Sequence, residues 1–211
     1  MTAPSAPPLD LKDIVSRTLD SYVQRAEDFR EGTRNHDVSQ NVAALLDHIV
    51  ATPPFTILDF GCGPGRDLVT FTRLGHRAIG LEAAAPFVAM AREASGCEVW
   101  SQDFLALDLP AAHFDGIFAN ASLFHVPARE LPRVLSELRA ALKTGGVLFC
   151  SNPHGDDDEG WRRGRYGAFL RWETWRDYAA GAGFVELLHY YRPPGLPHEQ
   201  QPWLASVWRA P

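Results

Sequence analysis

Apolar positions along this chain alternate between helical and extended spacing. Leu11 to Arg30 reads as a helix, and a second begins near Asp37 with Val42, Leu45, Leu46, Ile49 and Val50 on one face. Thr52-Pro53-Pro54 ends that helix, because proline cannot continue the hydrogen-bond ladder. The pattern then predicts strand 55–60, helix 65–75, strand 77–82, helix 84–95, strand 97–102, strand 114–119, helix 128–142 and strand 146–151. Leu131, Val134, Leu135, Leu138 and Leu142 form one stripe on the 128–142 helix, with Gly145-Gly146 expected to close it. Such alternation predicts a parallel sheet with helices on both faces.

The last third departs from that rhythm. Residues 152–170, rich in Gly, Asp and Arg, read as a long loop or lid, followed by a helix from Glu173 to Ala180. Two further strands, Phe184 to Tyr191 and Trp203 to Arg209, are joined by a proline-rich connection without a helix, so they should pair antiparallel. One domain over residues 1–211 is expected, with 1–10 as a disordered lead and 11–52 as N-terminal helices. No internal repeat is visible.

Composition narrows the class. At 45% hydrophobic and 22% charged the chain is ordinary for a globular protein, and a net charge of −6 argues against a nucleic-acid partner. The nearest approach to a basic cluster, Arg162, Arg163 and Arg165, follows Asp156, Asp157, Asp158 and Glu159, which would oppose a polyanion. No apolar run reaches the roughly 18 residues of a membrane span, and Met1 to Pro8 does not read as a signal peptide. Cys62, Cys97 and Cys150 are too dispersed for a zinc site or a disulfide framework, so a reducing cytoplasm is the expected compartment and no metal is expected.

The most informative stretch is Ile57-Leu-Asp-Phe-Gly-Cys-Gly-Pro-Gly-Arg-Asp67, an apolar strand running into Gly61, Gly63 and Gly65 and then a helical pattern. Glycines there permit a tight turn and let backbone N–H groups approach a ligand at a helix start. A dinucleotide fingerprint needs Gly or Ala at the sixth position, which here is Arg66. Asp59 would repel a pyrophosphate and welcome a cationic amine, while Glu82, ending the next apolar run, suits ribose hydroxyls. These features point to a ligand that joins a nucleoside to an amino acid.

The motif resembles the first motif of the S-adenosylmethionine-dependent class I methyltransferases. That resemblance implies a Rossmann-like, mostly parallel seven-stranded sheet with one antiparallel strand, and S-adenosylmethionine as cofactor. The loop Gly61, Gly63, Gly65 and Asp67 would cradle it; Asp103 and Phe104, after the third strand, would hold the adenine. Asn120 would position the methionine part, and Tyr22 would lie over the cofactor from an entry helix. Asp103 is equally readable as a helix cap, and Tyr22 as a packing residue. Arg34 reads better as an exposed loop arginine than as a ligand to a carboxylate.

Acceptor chemistry is sought in Asn120-Ala-Ser-Leu-Phe-His-Val-Pro127, where Phe124 would line the acceptor pocket and His125 would take the proton shed by a methylated nitrogen. Arg165, Tyr166 and Tyr190 suit a small zwitterionic aromatic acceptor, since arginine forks match carboxylates and aromatic faces match flat rings. Trp203 and Trp208 read as sheet-packing aromatics.

A narrower resemblance rests on the glycine loop with Arg66-Asp67, on Phe118 to Pro127, on Ser151-Asn152-Pro153, on Arg165-Tyr166-Gly167 and on His189-Tyr190-Tyr191-Arg192-Pro193. Over about Tyr22 to Arg209 the chain is similar to the carboxyl-terminal methyltransferase domain of ovothiol-synthesising 5-histidylcysteine sulfoxide synthases, here without the iron-binding synthase domain. The resemblance implies methylation of the π nitrogen of 5-thiohistidine to ovothiol A, with a separately encoded synthase as pathway partner. Two rivals remain: a methyltransferase of another small acceptor such as a phenol or thiol, and a protein that binds the cofactor without turnover.

Overall fold

The computed structural model describes residues 10–211. All of the expected disordered lead except Asp10 lies outside the described residues. Asp10 caps the first helix, α1 (Leu11–Gln24), its carboxylate accepting from Lys12 N at 3.1 Å. The expected single helix to Arg30 is instead two: Arg25, at φ −122°, breaks the ladder before α2 (Ala26–Thr33). The next helix, α3 (Ser39–Leu46), stops four residues short of Val50, which leaves the apolar face and is 74% exposed.

The alternating core follows as β1 (Thr56–Phe60), α4 (Arg66–Arg73), β2 (Arg77–Glu82), α5 (Ala85–Ser95), β3 (Glu98–Ser101) and β4 (Phe114–Asn120). Then come α6 (Leu131–Ala141) and β5 (Leu142–Pro153). The α6 helix passes straight into β5 at extended Leu142, so Gly145 and Gly146 do not close it; they lie within the strand, where Gly145 takes φ +79°. The chain continues with β6 (Asp158–Arg162), β7 (Arg165–Phe169), α7 (Trp172–Gly181), β8 (Val185–Arg192) and β9 (Trp203–Arg209).

Seven strands form one sheet in the order β3-β2-β1-β4-β5-β9-β8. Neighbours from β3 to β5 pair in parallel; β9 runs antiparallel between β5 and β8, from Val147 opposite Arg209 to Pro153 opposite Trp203. This is the expected mostly parallel sheet with one antiparallel strand. Strand β4 is buried along Phe114 to Ala119 because both of its faces are covered. One face packs on α6 and α7 through Leu135, Leu138, Trp175 and Ala179, the other on α3, α4 and α5 through Leu45, Phe71 and Val88. Strand order reverses between β1 and β4, which opens a crevice at their carboxyl ends.

Residues 152–170 are not a bare loop. Strands β6 and β7 form a hairpin closed by Arg163 and Gly164, both at positive φ (51° and 79°), a two-residue turn that suits the twist of paired strands. The hairpin packs on α1: Tyr166 N donates to Thr18 Oγ1 at 3.1 Å, and the Arg17 guanidinium lies 4.0 Å from the Trp161 ring centre. Dense acids and glycines conceal this strand pair in the linear pattern.

Candidate active site

A cavity of about 820 Å³ occupies the crevice, roofed by α1, α2 and the β6–β7 hairpin. That is ample for a small-molecule site, whose usual range is ~300–1,000 Å³. Its floor is the glycine loop. Gly61, at φ +80°, lies so close to the opposite wall that a Cβ would stand 2.6 Å from Ser122 Cβ and 3.0 Å from the Phe104 ring. Gly63, at φ +51°, faces the cavity with room beside it, the nearest atom to a Cβ being Phe29 at 3.8 Å. Gly65 is off the wall: it starts α4 at φ +92°, and a Cβ would meet Ala91 Cα of α5 at 2.7 Å. It serves helix packing rather than ligand contact, contrary to expectation.

Glu82, ending β2, braces that loop. Its Oε1 accepts from Ala83 N and Ala84 N, each at 2.8 Å, and its Oε2 accepts from Gly63 N at 3.1 Å. A carboxylate has further lone pairs, so hydroxyl donors in the cavity can still be received. Burial raises its pKa, and the three N–H bonds oppose the rise. Asp59 does not reach the wall; it is buried beneath the loop, with Oδ2 unpartnered. Burial, aided by the nearby Asp67 and Glu82 charges, holds its pKa well above the carboxylate range, and its carboxylate lies beneath the loop instead of on the cavity wall where contact with a cationic amine was expected. Asp67 does line the cavity, clasped by Arg66 through Nε–Oδ1 at 2.7 Å and an NH2–Oδ2 contact at 2.8 Å.

Farther along the wall, Asp103 Oδ1 accepts from Leu105 N at 2.7 Å, and Phe104 stacks on Phe60 with ring centres 4.3 Å apart. Asn120 Oδ1 accepts from Asn41 Nδ2 at 2.9 Å, and Asn41 Oδ1 accepts from Tyr190 Oη at 3.0 Å. Tyr190 therefore stands behind Asn41, off the wall, which corrects its assignment as an acceptor contact. Asn41 itself was missed; the signal was a polar residue on the apolar face of α3, buried to 1% exposure. A second orphaned polar atom, Ser122 Oγ, is buried at the cavity wall. The glycine cradle, the Glu82 carboxylate and this unpartnered hydroxyl fit a ligand with hydroxyl and amino-acid groups.

At the other end, α1 and the hairpin meet. Tyr22 Oη lies 2.8 Å from His125 Nε2, and Arg165 NH1 donates to Tyr22 Oη at 3.0 Å. His125 Nδ1 lies 2.6 Å from the Tyr166 carbonyl. A carbonyl only accepts, so Nδ1 carries the hydrogen and Nε2 receives the Tyr22 proton. Burial, assisted by the Arg165 charge, pushes the His125 pKa down to about 4 against the Tyr166 hydrogen bond, so the ring is neutral and weakly basic at pH 7. His125 and Phe124 line the cavity with ring centres 3.9 Å apart, yet both His125 nitrogens are engaged within the protein. This differs from the expected free histidine base. Tyr166 contributes only backbone, its side chain turning to Trp161 off the wall.

Arg165 and Arg192 both line the cavity, Arg165 beside Tyr22 and Arg192 beside Asp37, and neither forms an ion pair among the described residues. Arg192 NH2 donates to the Asp37 carbonyl at 3.0 Å, while its Nε is buried without a partner. Arg34 is paired with Glu31 at 3.6 Å, away from the cavity. Among the described residues no cluster of three His, Cys, Asp or Glu side chains suits a metal ion, and no helix is long and apolar enough to cross a membrane.

Comparison with known proteins adds four findings. Residues 57–146 match a family described as a methyltransferase domain. A trans-aconitate 2-methyltransferase from Azoarcus sp. (strain BH72) is 33% identical over 116 residues, covering 54% of this chain and 45% of that protein. A malonyl-[acyl-carrier protein] O-methyltransferase from Xylella fastidiosa (strain M23) is 33% identical over 124 residues, covering 55% of this chain and 41% of its own length. The match thus spans less than half of either relative. The crystal structure of a Burkholderia thailandensis 1,6-didemethyltoxoflavin-N1-methyltransferase, with 1,6-didemethyltoxoflavin and S-adenosylhomocysteine bound, superposes with a TM-score of 0.79 at 21% identity, covering 97% of this chain and 92% of that one.

Proposed function

We propose that this chain, whose residues 57–146 match a methyltransferase-domain family, is an S-adenosylmethionine-dependent enzyme that methylates a ring nitrogen of a small, carboxylate-bearing aromatic molecule. The observation that carries this reading is one cavity lined both by a carboxylate-braced glycine cradle and by two arginines. The glycine cradle is braced by Glu82, and Arg165 and Arg192 line the same cavity with no carboxylate at ion-pair distance among the described residues. Unpaired guanidiniums beside a half-buried pocket favour a carboxylate ligand, since a planar fork and a planar anion pair in register. S-adenosylmethionine supplies a methyl group on a sulfonium, a leaving group that needs no further activation. The protein's task is alignment and exclusion of water, which Phe29, Phe87, Phe104 and Phe124 perform by walling the cavity with apolar faces.

The finer reading is methylation of the π nitrogen of 5-thiohistidine to ovothiol A. Support comes from the resemblance of Phe118 to Pro127, Arg165-Tyr166-Gly167 and His189 to Pro193 to the sulfoxide-synthase methyltransferase domains. On this reading a separately encoded iron-dependent sulfoxide synthase supplies the acceptor's precursor. A protein of the same fold, the 1,6-didemethyltoxoflavin-N1-methyltransferase, is named for methylation at an N1 position, which agrees with this reading. Mass spectrometry of the product formed from 5-thiohistidine and methyl-labelled cofactor tests the proposal. A labelled methyl on the π nitrogen supports it; label on sulfur, or turnover only with phenols or thiols, sinks the finer reading. Cofactor binding with no turnover of any acceptor would make the chain a binding protein.

A further inference from the structure

Tyr22 Oη stands where three elements meet: α1 carries it, the turn at Leu123–His125 receives its proton, and β7 donates to it through Arg165. Every bond in this chain has a direction set by its ends. At one end the Tyr166 carbonyl only accepts; at the other the Arg165 guanidinium only donates. Tyr22 is thereby committed to giving its single proton to His125 and taking one hydrogen bond from Arg165. One acceptor position on Oη remains. Tyr22, His125 and Arg165 all line the cavity, and the Tyr22 ring rests edge-on against Phe29 and Phe87 at 5.4 and 5.7 Å. Phe29 is the neighbour of Gly63, and Phe87 belongs to α5. Tyr22 thus links the glycine-loop wall, through Phe29, to the Arg165 side of the cavity, where on the proposed reading methyl donor and acceptor meet.

We propose that Tyr22 Oη is an obligate hydrogen-bond acceptor facing the methyl acceptor, so the site selects small molecules that present an N–H donor beside the nucleophilic atom. His125 and Arg165 are positioning residues that hold the polarity of the hydroxyl. The inference rests on the reading of the cavity as a methyl-transfer site and deepens it. For an azole, Tyr22 takes the ring N–H and leaves the lone pair of the other nitrogen free. That lone pair forms the N–C bond as the S–C bond breaks onto sulfur, and the methylated cation sheds its N–H proton to water after release. As the ring becomes positive its N–H bond to Tyr22 strengthens, which stabilises the transition state more than the ground state.

The test uses protein saturated with S-adenosylhomocysteine and two probes of like shape, imidazole, which has an N–H, and thiazole, which has none. Affinities are read by NMR titration. The wild type should prefer imidazole by roughly ten- to a hundred-fold, the effect of leaving a buried acceptor unmatched. Tyr22→Phe should bring the two probes within about two-fold. His125→Leu removes the proton acceptor, lets the Tyr22 hydroxyl rotate to donate, and should shrink or reverse the preference even if Tyr22→Phe folds poorly. Equal affinities in the wild type, no binding of imidazole, or a preference that survives both substitutions would overturn the inference. Failure of S-adenosylhomocysteine itself to bind would instead sink the reading of the cavity.

Discussion

Glu82 holds the Gly63 N–H at 3.1 Å, so the carboxylate proposed to receive ribose hydroxyls also braces the loop proposed to cradle the cofactor. Removing it withdraws both at once. Glu82→Ala should weaken S-adenosylhomocysteine binding by roughly ten- to a hundred-fold, the equivalent of one charge-assisted hydrogen bond of about 1.5–3 kcal/mol. Calorimetric titration reads the effect, and an unchanged dissociation constant would exclude Glu82 from the site.

The glycines separate by role. Gly65→Ala should lower thermal stability, because a Cβ would drive into Ala91 Cα at 2.7 Å and the backbone is left-handed. Gly63→Val meets no such wall, the nearest atom being 3.8 Å from its Cβ, but it projects into the cavity. It should keep a cooperative melt, apart from a left-handed strain of about 1–2 kcal/mol, and lose cofactor affinity. A Gly63→Val protein with wild-type affinity would refute the cradle.

His125 makes stability depend on pH. Its pKa is about 4 in the fold, against 6.5 for an ordinary imidazole side chain. A base whose folded pKa is depressed binds fewer protons than its unfolded form, so stability is full above about pH 6.5 and falls as pH drops toward 4. His125→Gln should flatten the melting temperature between those limits. A profile identical to wild type would show that other groups govern acid sensitivity.

Arg165 and Arg192 should act on the acceptor more than on the cofactor. Arg192→Met should raise the acceptor Michaelis constant about ten-fold or more, with little change in S-adenosylhomocysteine affinity. Equal losses for both ligands would place Arg192 in the cofactor wall. Arg165→Met should in addition lower turnover, since Tyr22 loses a partner.

The strand and helix alternation from β1 to β5 was legible because fully covered strands such as Phe114 to Ala119 carry unbroken apolar runs. The glycine loop was legible too, since alternate glycines after an apolar strand have few other physical uses. The hairpin at 158–169 was hidden: Asp158, Glu159 and Gly160 mask alternation, and the Arg163-Gly164 turn is a weak signal by itself. Tyr190 and Tyr166 carried the right chemistry for a ligand but face Asn41 and Trp161 instead.

Local pattern alone therefore determined the layered α/β plan, the place of the glycine loop and the Glu82 carboxylate, because strand burial, turn geometry and helix starts are set by neighbours within a few residues. Only tertiary structure decided which groups share a wall. Tyr22 and His125 lie 103 positions apart, and Tyr22 and Arg165 lie 143 apart. Whether His125 offers a free nitrogen depends on a hydroxyl from α1 and a carbonyl from β7, and no local spacing encodes that meeting. Asp59 likewise has a suggestive position in sequence, but packing around it decides its exposure and so its charge.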